Sequence, residues 1–129
     1  MEFTPSRNIQ KMVNKNKREL IGKPDPALPG KSIKGTLQAD HIVSMDRISR
    51  MDGFEKLTRE QKLEVLNNPE NFIGLSETAN KSKGSKTYFE WTVYKKENIK
   101  VDPDFRGNMI DKEQQLEILL QKQIDDFNK

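Results

Sequence analysis

The chain contains no cysteine, which excludes disulfides, thiolate-ligated zinc and a thiol nucleophile. It has one histidine, His41, so no imidazole pair can share acid and base work. Long apolar runs are missing as well. No segment approaches the roughly 18 apolar residues of a membrane span, and residues 1 to 25 hold no stretch resembling a signal peptide. Any export is therefore expected to use another route or a larger parent polypeptide. Apolar residues make up 33% of the 129 positions and aromatics 7%, which suits one domain with a modest core.

Charge is plentiful at 33% of the sequence, and the net value of +3 hides a division along the chain. Residues 1–50 carry ten Lys/Arg against five Asp/Glu, and residues 80–100 carry six against two. The intervening segment 51–79 and the tail 101–129 are each acidic by three charges. The basic segments include or flank the residues singled out below, a footprint suited to a polyanion.

The patterning predicts alternating helices and short strands, an α+β chain. Ser6 caps an expected basic amphipathic helix running to about Ile21, with Ile9, Met12, Val13 and Leu20 on one face. Gly22 to Gly30, with three prolines, reads as a rigid connector. Ser32 to Ile42 is expected as one strand, or two short ones around Gly35. Thr58 and Gln61 form a capping box for a helix to about Leu66, which Asn67-Asn68-Pro69 stops. Phe72 to Leu75 reads as a strand, and Ser76 as the cap of a helix that carries Asn80 and Lys83 and ends at Gly84. Thr87 to Tyr94 reads as a strand-like or buried irregular segment whose aromatics belong to the core. Asp102-Pro103 reads as a break, and Asp111 with Gln114 as the start of a closing helix over about 110–128. Its stripe is Leu116, Leu119, Leu120, Gln123, Ile124 and Phe127.

Three blocks carry chemistry: Ala39-Asp40-His41-Ile42-Val43, Asn71-Phe72-Ile73-Gly74-Leu75 and Asn80-Lys81-Ser82-Lys83-Gly84. Hydrolysing a phosphodiester needs an activated water, neutralised charge on the phosphorus centre and a stabilised leaving oxygen; one base and one divalent cation can meet all three needs. His41 is the natural base, because only its side chain has an ordinary pKa near neutrality. Asp40 offers an anionic oxygen and the Asn80 amide a neutral one, an all-oxygen set that favours Mg²⁺, with Mn²⁺ as substitute, over Zn²⁺. Asp40 and His41 can serve one centre only if the backbone turns there, since neighbours on a regular strand face opposite ways. Asn71 is assigned the support of the His41 loop through backbone hydrogen bonds. Lys83, one helical turn beyond Asn80, is a candidate phosphate contact, with Arg47 and Lys86 as weaker ones.

At these residues the sequence resembles the HNH nuclease family, whose ββα-metal fold clasps a divalent ion between two strands and a helix. The match covers about Thr36 to Lys86 and is similar to the HNN variant in the HNH domain of CRISPR RNA-guided nucleases. That domain also has Asp-His-Ile-Val, a nine-residue Asn-to-Asn step and a lysine three residues later. The resemblance implies His41 as general base, Asp40 and Asn80 as metal ligands, Asn71 as the residue orienting the His41 loop, and Lys83 at a basic position. The chain departs from many members in lacking zinc-knuckle cysteines, and from compact members in the 29 residues between His41 and Asn71. The whole chain also looks like the C-terminal toxin module of bacterial polymorphic toxins such as the LXG type. That would imply delivery into competitor cells and a cognate immunity protein in the producer.

The expected activity is metal-dependent DNA cleavage with little sequence preference, because base-reading modules need more chain than remains outside the site. An RNase is the nearest rival, although metal-free RNases usually need a pair of acid-base groups. A domestic restriction or repair nuclease, and a non-catalytic nucleic-acid-binding module, are the others.

Overall fold

The computed structural model describes residues 6–129. Half of the chain is helical and about a ninth is strand, an α+β composition. Ser6 caps α1 (Arg7–Val13), its Oγ accepting from the Ile9 amide at 3.2 Å. The expected single helix to Ile21 divides here. Asn14 ends α1 and turns its side chain onto the Leu37 backbone, accepting from its N–H at 2.7 Å and donating to its carbonyl at 3.0 Å. A short α2 (Lys17–Leu20) follows. Asn in a helix interior competes for backbone partners in this way, and the periodicity of apolar residues does not reveal it.

The segment read as a connector is an anchor. Pro24 bridges Ser32, and the Gly22 amide donates to the Ile33 carbonyl at 2.7 Å. Ala27 and Leu28 are buried in the core. Buried Asp25 accepts from the Ala27 amide and from the Ser76 hydroxyl, while the Asp102 amide donates to the Ala27 carbonyl at 2.9 Å. One loop therefore ties together the starts of two later helices.

Of Ser32 to Ile42, expected as extended, only Gln38–His41 forms a ladder strand, β1. After it come α3 (Met45–Ser49), a single 3₁₀ turn at Phe54–Lys56 and α4 (Arg59–Leu66), whose Thr58–Gln61 capping box is formed. β2 (Phe72–Leu75) runs antiparallel to β1, with Gln38 opposite Leu75 and His41 opposite Phe72. Gly74 lies where a Cβ would meet Val13 and Leu37 at 3.0 Å, so the missing side chain lets α1 settle on this sheet. Ser76 caps α5 (Glu77–Lys83), which packs on both strands and ends at Gly84 with φ +55°.

Thr87 to Tyr94 takes the irregular of its two expected forms, with strand only at its end. Tyr88 and Trp91 are buried three residues apart, a turn spacing, and the Trp91 amide donates to the Thr87 carbonyl at 2.9 Å. Only Val93–Tyr94 (β3) pairs, with Ile99–Lys100 (β4), and Phe89 is 70% exposed. The last helix, α6 (Pro103–Phe127), starts eight residues before Asp111, where Asp111 with Gln114 marks the expected start. Asp102 is its N-cap and Pro103 its first residue, where a missing N–H costs nothing. Met109, Leu116, Leu120 and Ile124 are buried on one face. Leu119, expected on that stripe, is 37% exposed at its edge. Among the described residues, no helix is long and apolar enough to cross a membrane.

Candidate active site

β1, β2 and α5 place the three chemical blocks next to one another. β1 ends on Asp40-His41, β2 begins directly after Asn71, and α5 carries Asn80 and Lys83 across both strands. Each boundary has a local cause. Pro69 starts the short turn that ends on Asn71, the β-branched and aromatic run Phe72-Ile73 suits a strand, and the Ser76 hydroxyl fixes the first turn of α5.

Asn71 is fully buried and holds the chain just after His41 at three points. Its Oδ1 accepts from the Val43 amide at 2.7 Å, its Nδ2 donates to the Val43 carbonyl at 2.9 Å, and its own carbonyl accepts from the Ile42 amide at 2.9 Å. Truncation to Ala would strand two buried backbone groups. Asn71→Ala should therefore lower stability by about 2–4 kcal/mol, read by urea denaturation; a loss below about 1 kcal/mol would show that the loop holds itself.

His41 closes β1 and is half-buried, its ring 4.3 Å from that of Phe72. Its Nε2 lies 2.9 Å from the Leu66 carbonyl. A carbonyl only accepts, so Nε2 carries the hydrogen and Nδ1 is the basic nitrogen. Leu66 is the last residue of α4, where helical carbonyls lack intrahelical partners. The long insert between His41 and Asn71 thus supplies the group that sets the histidine tautomer. Burial pushes the imidazole pKa below its usual value, against the opposing pull of the Leu66 carbonyl and Asp40.

Asp40 points elsewhere, into a buried cluster. The Lys83 ammonium lies 3.2 Å from Oδ2 and 3.4 Å from Oδ1, and the Tyr88 hydroxyl donates to Oδ2 at 3.1 Å. Burial raises the carboxyl pKa, and Lys83, Tyr88 and His41 work against that rise. Burial, reinforced by the Asp40 charge, also keeps Tyr88 protonated as a donor. Tyr88 was legible only as a core aromatic; its reach to Asp40 across 48 residues left no signal in spacing. The same holds for Glu113 on α6, a half-buried carboxylate that accepts from the Tyr88 amide at 3.3 Å.

The other candidates are spread out. Asn80 is half-buried on α5, one turn from Lys83. Lys83 is itself buried against Asp40 rather than presented at the surface. Arg47, on α3, is exposed and pairs with Glu117 on α6 at 2.9 Å. Lys86 is exposed just beyond α5 and lines an open groove with Lys95, Lys96, Trp91 and Tyr94. The Trp91 indole, donating to the Ser82 hydroxyl at 2.9 Å, joins this groove to α5.

The donors that Asp40 and Asn80 offer are oxygens, the type a hard cation takes. Among the described residues, Asp40 accepts from two groups on oxygens with about four lone-pair sites between them. The Asn80 amide adds a neutral oxygen on the helix that already reaches Asp40. Among the described residues no three His, Cys, Asp or Glu side chains converge. No family model matches the chain, and no curated protein or solved structure matches it either.

Proposed function

We propose that the chain is a divalent-metal-dependent DNA endonuclease of the ββα-metal type, cutting with little sequence specificity. We read it as the toxin module of an interbacterial effector, carried within a larger secreted protein into the target-cell cytoplasm and held in check by an immunity protein in the producer. One observation carries the reading. An antiparallel strand pair and the following helix bring the chain segments bearing Asp40, His41, the Asn71-braced loop and Asn80 side by side, with Asp40 and His41 at successive ladder positions of β1 and held by different partners.

In this reading His41 Nδ1 takes a proton from water. The resulting oxygen bonds to phosphorus as the bond from phosphorus to the leaving sugar oxygen breaks. Asn71 holds the loop that aims the imidazole, and the Leu66 carbonyl keeps Nε2 protonated so that Nδ1 is the base. Asp40 and Asn80 would hold Mg²⁺, or Mn²⁺ in its place, which supplies charge neutralisation at the phosphate when bound. Lys86, Lys95 and Lys96, against the one carboxylate Glu90, leave the neighbouring groove with the positive balance that a phosphate backbone requires. An immunity protein covering this surface should present acidic groups.

A second reading is favoured by the buried Lys83–Asp40 pair, which resembles a structural ion pair. On that view the fold is a non-catalytic nucleic-acid-binding module. Supercoiled plasmid incubated with Mg²⁺, with Mn²⁺ and with chelator separates the two. Nicking should need metal and should fall at least about a hundredfold in Asp40→Ala and Asn80→Ala. Intact plasmid under every condition, with DNA still bound, favours the binding module; cleavage of an RNA transcript instead transfers the reading to an RNase.

A further inference from the structure

Lys83 is an unusual residue to bury. Its side chain is 4% exposed and that of its partner Asp40 9%, and the ammonium sits astride both carboxylate oxygens rather than on one. That is the position a hard cation would take. Beside it the Tyr88 ring centroid lies 4.7 Å from Nζ, while the Tyr88 hydroxyl holds Oδ2. The aromatic face offers the ammonium a second seat within the same pocket.

We propose that Lys83 is the resident counter-ion of Asp40, displaced onto the face of Tyr88 when a divalent cation binds, and that Tyr88 is the positioning residue that keeps the carboxylate aimed through the exchange. The inference rests on the assignment of Asp40 as a metal ligand. A buried carboxylate needs one compensating charge when metal is absent. With a divalent ion in place, the same ammonium is a like charge a few ångströms away, repelled from the oxygens both would share. Lys83 then becomes available toward a bound phosphate, a role its buried pairing otherwise denies it.

The test is Mn²⁺ binding to the full chain without nucleic acid, followed by calorimetry and by the electron spin resonance of the ion. Lys83→Met should bind Mn²⁺ at least about tenfold more tightly than the unsubstituted chain, the size of effect a neighbouring unit charge has on a carboxylate's proton. Lys83→Arg, which keeps the charge, should bind no more tightly than the unsubstituted chain, Tyr88→Phe more weakly, and Asp40→Asn should lose the site. If Lys83→Met binds equally or more weakly while Asp40→Asn still abolishes binding, the counter-ion proposal falls and the metal site stands. Absence of any Asp40-dependent binding removes the metal reading and the proposal together. A measurement on the unsubstituted chain guards against a variant that does not fold: the slowly exchanging Lys83 ammonium resonance should shift on adding Mg²⁺. An unchanged resonance at Mg²⁺ saturation overturns the exchange.

Discussion

Lys83→Met should destabilise the metal-free protein by about 3–5 kcal/mol, the penalty for leaving one partner of a buried ion pair uncompensated. The argument is one of desolvation. Asp40 and Lys83 are both nearly excluded from water, so among the described residues the surviving carboxylate keeps one hydroxyl donor, Tyr88, and no opposite charge within contact. Surface pairs such as Arg50–Asp46 or Lys81–Glu77, exposed on both sides, belong to a different class, their attraction screened by water and salt. Urea denaturation in chelator should therefore separate Lys83→Met sharply from Lys81→Met. Neutralising both partners, in Asp40→Asn/Lys83→Met, should restore most of the loss, because the charge itself and not the packing is what the single variant exposes. Added Mn²⁺ should also narrow the gap for Lys83→Met, since an ion that binds only the folded state stabilises it by mass action. A single-variant loss below about 1 kcal/mol would mean that water reaches the pair.

The elements that were legible from sequence are those whose ends are set by their own residues. The Thr58–Gln61 box, the Asn68-Pro69 stop, the Phe72 to Leu75 strand and the Ser76 to Gly84 helix all depend on neighbours a few positions away. Failures came where a residue answers to a distant partner. Asn14 leaves its helix for Leu37, and the connector is tied to Ser76 and to the Asp102 amide. Asp102-Pro103 shows a different kind of miss, since the same dipeptide that stops one helix begins another when aspartate caps it. At the site, spacing put Asn80 and Lys83 on one helical face, but nothing in it showed that this face meets Asp40. Tyr88 and the Leu66 carbonyl act through tertiary contacts 48 and 25 residues long, and no local pattern encodes such distances.

Cleavage by the unsubstituted chain should fall about 10² to 10⁴-fold in His41→Ala, the usual contribution of a positioned general base, with the fold retained because the loop is held by Asn71. The pH profile supplies the sharper check. Burial lowers the imidazole pKa from its ordinary value of 6.5, so His41 is the free base throughout the neutral range. The metal-saturated rate should accordingly be flat around pH 7 and decline only below pH 6.5, with a slope of one, as protonation of Nδ1 removes the base. Stability moves in the same direction. Between the unfolded value and the lower folded one, the unfolded chain binds more protons, so stability is lost as pH falls through that window. His41→Ala should abolish the inflection in the residual rate as well as lowering it. A profile that still bends below pH 6.5 in this variant would assign the titrating group elsewhere, and Glu113 is the group to replace next, because burial raises its carboxyl from the ordinary value of 4.5 and it lies against the Tyr88 backbone.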